Sequence, residues 1–225
     1  MFTTGKLMGA GGFGGAIEIS YITSSNYGAS TGGTLTMPSC QDGDILLVLQ
    51  AANGPASGGS IPTARYGTGF TSITTQGMVT SGRGTTGSRI CASYKVAVAA
   101  DSGAAKTGFM NDTNEWAKVY VYRPSYTVSS VNILDVEGGA TALNPPALTA
   151  NCSASSYPTI SAAAARGGVG TVWSVTLSST TPTADASYTG MFALGQNPTA
   201  TDFVSDASDA GTANIYFSFY LELQG

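Results

Sequence analysis

Residues 215–223 read IYFSFYLEL, and this run constrains the fold more tightly than any other stretch of the chain. Ile215, Phe217, Phe219, Leu221 and Leu223 alternate with Tyr216, Ser218, Tyr220 and Glu222. A period of two puts the first set on one face of a strand and the second on the other, whereas a helix would scatter both. Residues 89–98 (RICASYKVAV) repeat the pattern. There Ile90, Ala92, Tyr94, Val96 and Val98 are expected in the core, with Arg89, Cys91, Ser93 and Lys95 turned away. Residues 44–50 (DILLVLQ) are almost continuously apolar after the turn formers Gln41, Asp42 and Gly43, as in a strand covered on both faces.

Further strands are expected at residues 16–22, 115–122 and 170–177, the last with Trp173, Val175 and Leu177 on one face. Weaker ones fall at 33–37, 69–75, 131–136, 158–164 and 188–194. Helix signals are poor, with only 97–105 and 162–165 permissive. Loops are expected at 51–68, 80–88, 180–187 and 196–212, which are rich in Gly, Ser, Thr or Asp. Roughly a dozen strands at this spacing predict an all-β fold, a jelly-roll-like β-sandwich, with residues 16–225 as one domain.

Residues 1–15 break the pattern. Gly5, Gly9, Gly11, Gly12, Gly14 and Gly15 deny them both a period and a core. Phe2, Leu7, Met8 and Phe13 are spaced along them as apolar anchors. This composition predicts an extended glycine-rich assembly arm that docks on a neighbouring subunit, where contact offsets the cost of ordering. Gly9–Gly14 satisfies GxGxxG, but a dinucleotide fingerprint needs a strand before it and a helix after it. Only eight residues precede this one, and strand-like AIEISYI follows.

Composition narrows the chemistry. There is no histidine, so Ser-His-Asp and Cys-His catalysis and histidine-ligated zinc are excluded. Charged residues are only 10% of the chain and the net charge is −4, which argues against nucleic acid as a partner. The three cysteines, Cys40, Cys91 and Cys152, form no CxxC motif and are expected to be free. Cys91, on the outward face of its strand, is expected to be the most open to labelling. No secretory signal, membrane span or lipidation motif is read, so no membrane contact is expected. No cofactor or metal is expected either.

Three clusters carry alternative chemistry. Asp135 and Glu137 lie two apart on an expected strand, so both carboxylates would share a face, as a glycosidase requires. Charges on an edge strand also discourage mispairing. Asp42 with Asp44, and Asp206 with Asp209, offer oxygen ligands for calcium but lack the spaced EF-hand pattern. A turn and a solvated loop are the plainer readings. Tyr120, Tyr122, Tyr216 and Tyr220, on the expected outward faces, would suit a sugar platform or an interface, or would be covered by a second sheet.

Four segments in order give an outline: GDILLVLQA (43–51), a glycine-rich loop ending in Gly69-Phe70, SYKVAVAAD (93–101) and WAKVYVYR (116–123). The outline resembles a group of virion structural proteins of tailed bacteriophages with a GDLLV…YKVA…YR pattern. The resemblance implies a subunit of a phage particle, assembled in the host cytoplasm, with no catalytic residues to transfer. The leading expectation is a capsid decoration or cement protein that contacts the major capsid protein or copies of itself, with homo-oligomers expected. The alternatives are a tail, neck or fibre adhesin domain that binds a host glycan, and a β-sandwich glycosidase using Asp135 and Glu137.

Overall fold

The computed structural model describes residues 18–27, 32–53, 61–79, 87–111, 115–141, 148–150, 158–166, 183–187, 190–197, 203–205 and 214–225. The arm at 1–15 with Phe2, Leu7, Met8 and Phe13 lies outside them. So do Cys152, the strand expected at 170–177, and Asp206 and Asp209.

The described chain is all-β apart from one 3-10 turn, Ala99–Asp101, in the stretch permissive for helix. Five strands make the first antiparallel sheet, in the order β1 (Ile19–Tyr27), β7 (Glu115–Pro124), β3 (Ile45–Asn53), β5 (Gly87–Val96) and β4 (Thr71–Val79). Five more make the second, in the order β11 (Thr183–Ser187), β12 (Gly190–Asn197), β10 (Thr159–Arg166), β14 (Asn214–Gln224) and β8 (Ser130–Thr141). Two short ribbons complete the set: β2 (Leu35–Thr36) with β6 (Ala105–Lys106), and β9 (Leu148–Ala150) with β13 (Phe203–Ser205). The first half of the chain builds one sheet and the second half the other.

The sheets share one core. Ile45, Leu47, Leu49, Ile90, Ala92, Tyr120 and Tyr122 meet Ile160, Ala162, Phe219, Leu221 and Leu223. The first sheet is also covered on its other face. Leu46, Val48, Val119 and Val121 pack under Leu35, Met37, Ala97 and Phe109. This second layer explains the continuous apolar run of β3, as expected of a doubly covered strand. It relies on close backbone approach at Gly67. Its φ is +89°, and a Cβ there would lie 2.4 Å from the Phe109 ring, so only glycine fits.

Four expectations are corrected. Tyr120, Tyr122 and Tyr220 are buried, so no outward tyrosine platform forms from them; the side chain of Tyr216 is outside the described set. On β7 the row at 116, 118, 120 and 122 turns toward the second sheet, and the valine row turns toward the covering loops. Val96 and Val98 are 38% and 51% exposed, at the last residue of β5 and just beyond it. Strands β11 and β13 occupy stretches expected as loops. The strand expected at 16–22 instead runs on to Tyr27 through an irregularity between Tyr21 and Thr23, and Tyr21, on this edge strand, is exposed.

Candidate functional site

The described polar chemistry concentrates at one end of the body, where β3 begins, β5 and β7 end, and residues 125–129 cross to β8. The DGD sequence makes a tight turn there, with Gly43 at φ +83°. The Gly43 amide donates to Ala97 O at 3.0 Å. Asp42 accepts from the Ala99 amide. Asp44 is buried, and both its oxygens accept from Arg123, from Nε at 2.8 Å and Nη2 at 2.9 Å. The Gln41 amide also donates to Asp44 Oδ2, at 2.9 Å. Asp44 is thus held by a guanidinium and a turn amide, in the fork geometry of a carboxylate–arginine pair.

A second buried carboxylate sits close by. Asp101 Oδ1 accepts from Lys95 at 2.7 Å and Lys106 at 2.6 Å, and Oδ2 from the Val98 amide at 2.9 Å. Burial alone would push the carboxyl up, but these hydrogen bonds outweigh it and hold it at about 2, below its usual 3.8. The native state therefore binds fewer protons than the unfolded chain as pH falls. Stability from Asp101 is held above about pH 4 and lost as pH drops through about 2. The lysines are 22% and 24% exposed, so solvent screening keeps this to at most ~2 kcal/mol. Urea midpoints measured from pH 5 to pH 2 should fall less steeply for Asp101→Asn than for the parent chain.

Gln50, buried on the outer face of β3, ties two loops to the sheet. Its Nε2 donates to Arg65 O and its Oε1 accepts from the Met110 amide, both at 2.9 Å. Ser93 Oγ donates to Tyr66 O at 2.8 Å in the same layer. On the inner face, Lys118 lies 5.0 Å from the centroid of the Tyr120 ring. Burial pushes its ammonium down and the Tyr120 and Tyr122 hydroxyls up.

The cysteine expectation reverses. Cys91 is fully buried, donating to Met110 Sδ at 3.8 Å and lying 3.4 Å from Thr75 Oγ1. Residues 61–70 and 107–111 cover what an isolated strand would expose. Cys40 is half-buried, and burial together with Asp101 and Asp44 pushes its thiol up. Under native conditions iodoacetamide should modify Cys40 slowly and Cys91 still more slowly. Peptide mass mapping reads the order, and prior labelling of Cys91 would contradict this packing.

Asp135 and Glu137 fall on β8, the edge strand of the second sheet. The register shifts between Ser218, opposite Glu137, and Tyr220, opposite Leu134. The side chains of Asp135 and Glu137 lie outside the described residues. The Asp42–Asp44 pair forms a turn in which one carboxylate is committed to Arg123. No group of three or more potential metal ligands occurs among the described residues.

Two depressions open at this end. One, of about 380 Å³, lies between Tyr94, Lys95 and Val96 on one side and Val128, Ser130 and Val131 on the other. The other, of about 240 Å³, lies over the Asp44–Arg123 pair.

Comparison with known family models, curated proteins and solved structures returns no match. Any functional reading rests on the residues themselves. The Asp44–Arg123 and Lys95–Asp101 pairs were not singled out from the sequence. The signal available was the position of each residue at the margin of an apolar strand, a place where a charge must find a partner or leave the core.

Proposed function

We propose that this chain is a virion structural protein of a tailed bacteriophage, a jelly-roll-like subunit that decorates or cements the capsid and is not an enzyme. One observation carries the reading. The segments of the GDILLVLQA…SYKVAVAAD…WAKVYVYR outline lie mainly on β3, β5 and β7, which are neighbours in the first sheet. Four of the outline's five charges pair with one another, Asp44 with Arg123 and Lys95 with Asp101. It therefore reads as a structural frame, and its conspicuous polar residues are spent on holding strand ends. Two antiparallel sheets on one core support the jelly-roll-like build. A strict jelly roll interleaves the halves of the chain between sheets, so the likeness is one of architecture and not of strand order.

In this reading the arm at 1–15 buries Phe2, Leu7, Met8 and Phe13 against the major capsid protein or another copy of the chain. Particle stability rises because only the assembled state gains that contact. Deleting residues 1–15 should leave the melting temperature of the body nearly unchanged and reduce incorporation into particles at least ~10-fold, equivalent to ~1.4 kcal/mol or more. Quantitative mass spectrometry of purified particles measures both incorporation and copy number. Hundreds of copies fit decoration, a small ring fits a neck or tail position, and undiminished incorporation of the truncated chain would end the arm hypothesis. No described geometry favours the glycosidase alternative.

A further inference from the structure

The geometry points to a binding site for a neutral saccharide in the depression over the Asp44–Arg123 pair. It holds about 240 Å³, room for a single sugar ring, and is walled by Gln41, Asp42, Arg123, Pro124, Tyr126 and Thr127. The chemistry of these walls selects the ligand.

Arg123 carries five N–H donors. Asp44 takes one from Nε and one from Nη2, and the side chain remains 36% exposed. The remaining donors are held in place because the guanidinium is clamped from behind. Asp42 accepts the Ala99 amide through Oδ1, leaving Oδ2 as an acceptor at an exposed position. The exposed Gln41 adds an amide with both donor and acceptor. Pro124 and the Tyr126 ring supply apolar surface, and the Tyr126 hydroxyl is anchored to Leu223 O.

Charge decides between ligand classes. Asp42 and Asp44 against Arg123 leave the depression with a formal charge of −1. A phosphate or sulfate would meet two carboxylates, and a divalent cation would meet a guanidinium and a carboxylate already bonded through both oxygens. A pyranose satisfies all the walls at once. Its hydroxyls donate and accept, and its C–H face packs on an aromatic ring or a proline. The site is small and open, so the affinity for one sugar is expected at a Kd of about 1–10 mM. The inference does not depend on the virion proposal. If that proposal holds, many copies on one particle would turn weak sites into firm attachment.

The test is a titration of the full-length ¹⁵N-labelled chain, followed by amide chemical shifts. Glucose, galactose, mannose and N-acetylglucosamine are added to ~50 mM, with sulfate and calcium in parallel. At least one sugar should shift the amides of residues 41–44 and 123–127 saturably, while sulfate and calcium should not. Gln41→Ala with Asp42→Asn should weaken that binding at least ~10-fold and leave distant amides in place, since the new amide oxygen can still accept the Ala99 N–H. Immobilised polysaccharides ending in the same sugar separate the sources. Capture competed by the monosaccharide assigns the site to a glycan terminus, and lack of capture assigns it to the free sugar. The inference is overturned if no sugar moves these amides, if the double variant binds as tightly as the parent, or if only sulfate or calcium moves them.

Discussion

Phe219→Ala should lower the unfolding free energy by about 3–5 kcal/mol and the melting temperature by about 10 °C. Phe219 is completely buried near the middle of β14, opposite Ala162 of β10, and packs into the core shared by both sheets. Its partner across the strand pair is only an alanine, which offers no bulk to fill the vacated volume. Tyr21→Ala provides the contrast. Tyr21 is 40% exposed and touches Tyr122 edge-on with ring centroids 5.8 Å apart, so its loss should cost within ~1 kcal/mol. Equal losses for the two variants would mean that β14 does not line a common core.

Gln50→Leu should cost about 2–5 kcal/mol although it barely changes the side-chain volume. The loss would come from two backbone groups and not from packing. The Met110 amide loses a buried partner and the Arg65 carbonyl a part-buried one, each at 2.9 Å, and an unpaired buried polar group costs its full desolvation. Urea denaturation measures the free energy. Exchange of the Met110 amide with deuterium should quicken by more than ~10-fold, an opening of the outer layer alone. A neutral substitution would show that the loops are held by their apolar contacts with Phe109 and Met37.

These two positions also mark what the sequence can and cannot disclose. The inward row of IYFSFYLEL was legible because one face is apolar and the other mixed, and Phe219, Leu221 and Leu223 are indeed buried together. WAKVYVYR offered no such contrast. Both its rows are bulky, and alternation says only that they separate, not which one meets the second sheet. For the tyrosines the sequence leaves two readings open, an outward platform or cover by a second sheet. Tyr120 and Tyr122 take the second, between the sheets, and the Tyr120 hydroxyl has no hydrogen-bond partner among the described residues. Alternation along RICASYKVAV turns Cys91 and Ser93 outward. They are buried by loops that bring Tyr66 from 27 positions upstream of Ser93 and Met110 from 19 downstream of Cys91, a contact no local pattern encodes. The rim chemistry was half legible. The DGD turn was expected, but its bond to Arg123 joins residues 79 positions apart.

The division of the chain between the two sheets also sets an order of events during synthesis. Every strand of the first sheet lies between Ile19 and Pro124, so its pairing can be complete while the second half is still being made. For that interval Ile45, Leu47, Leu49, Tyr120 and Tyr122 have no opposing sheet. A nascent chain that has emerged only as far as residue 125 would therefore present a broad, largely apolar, sticky face, and chaperones would be drawn to this half-made protein before its partner layer emerges.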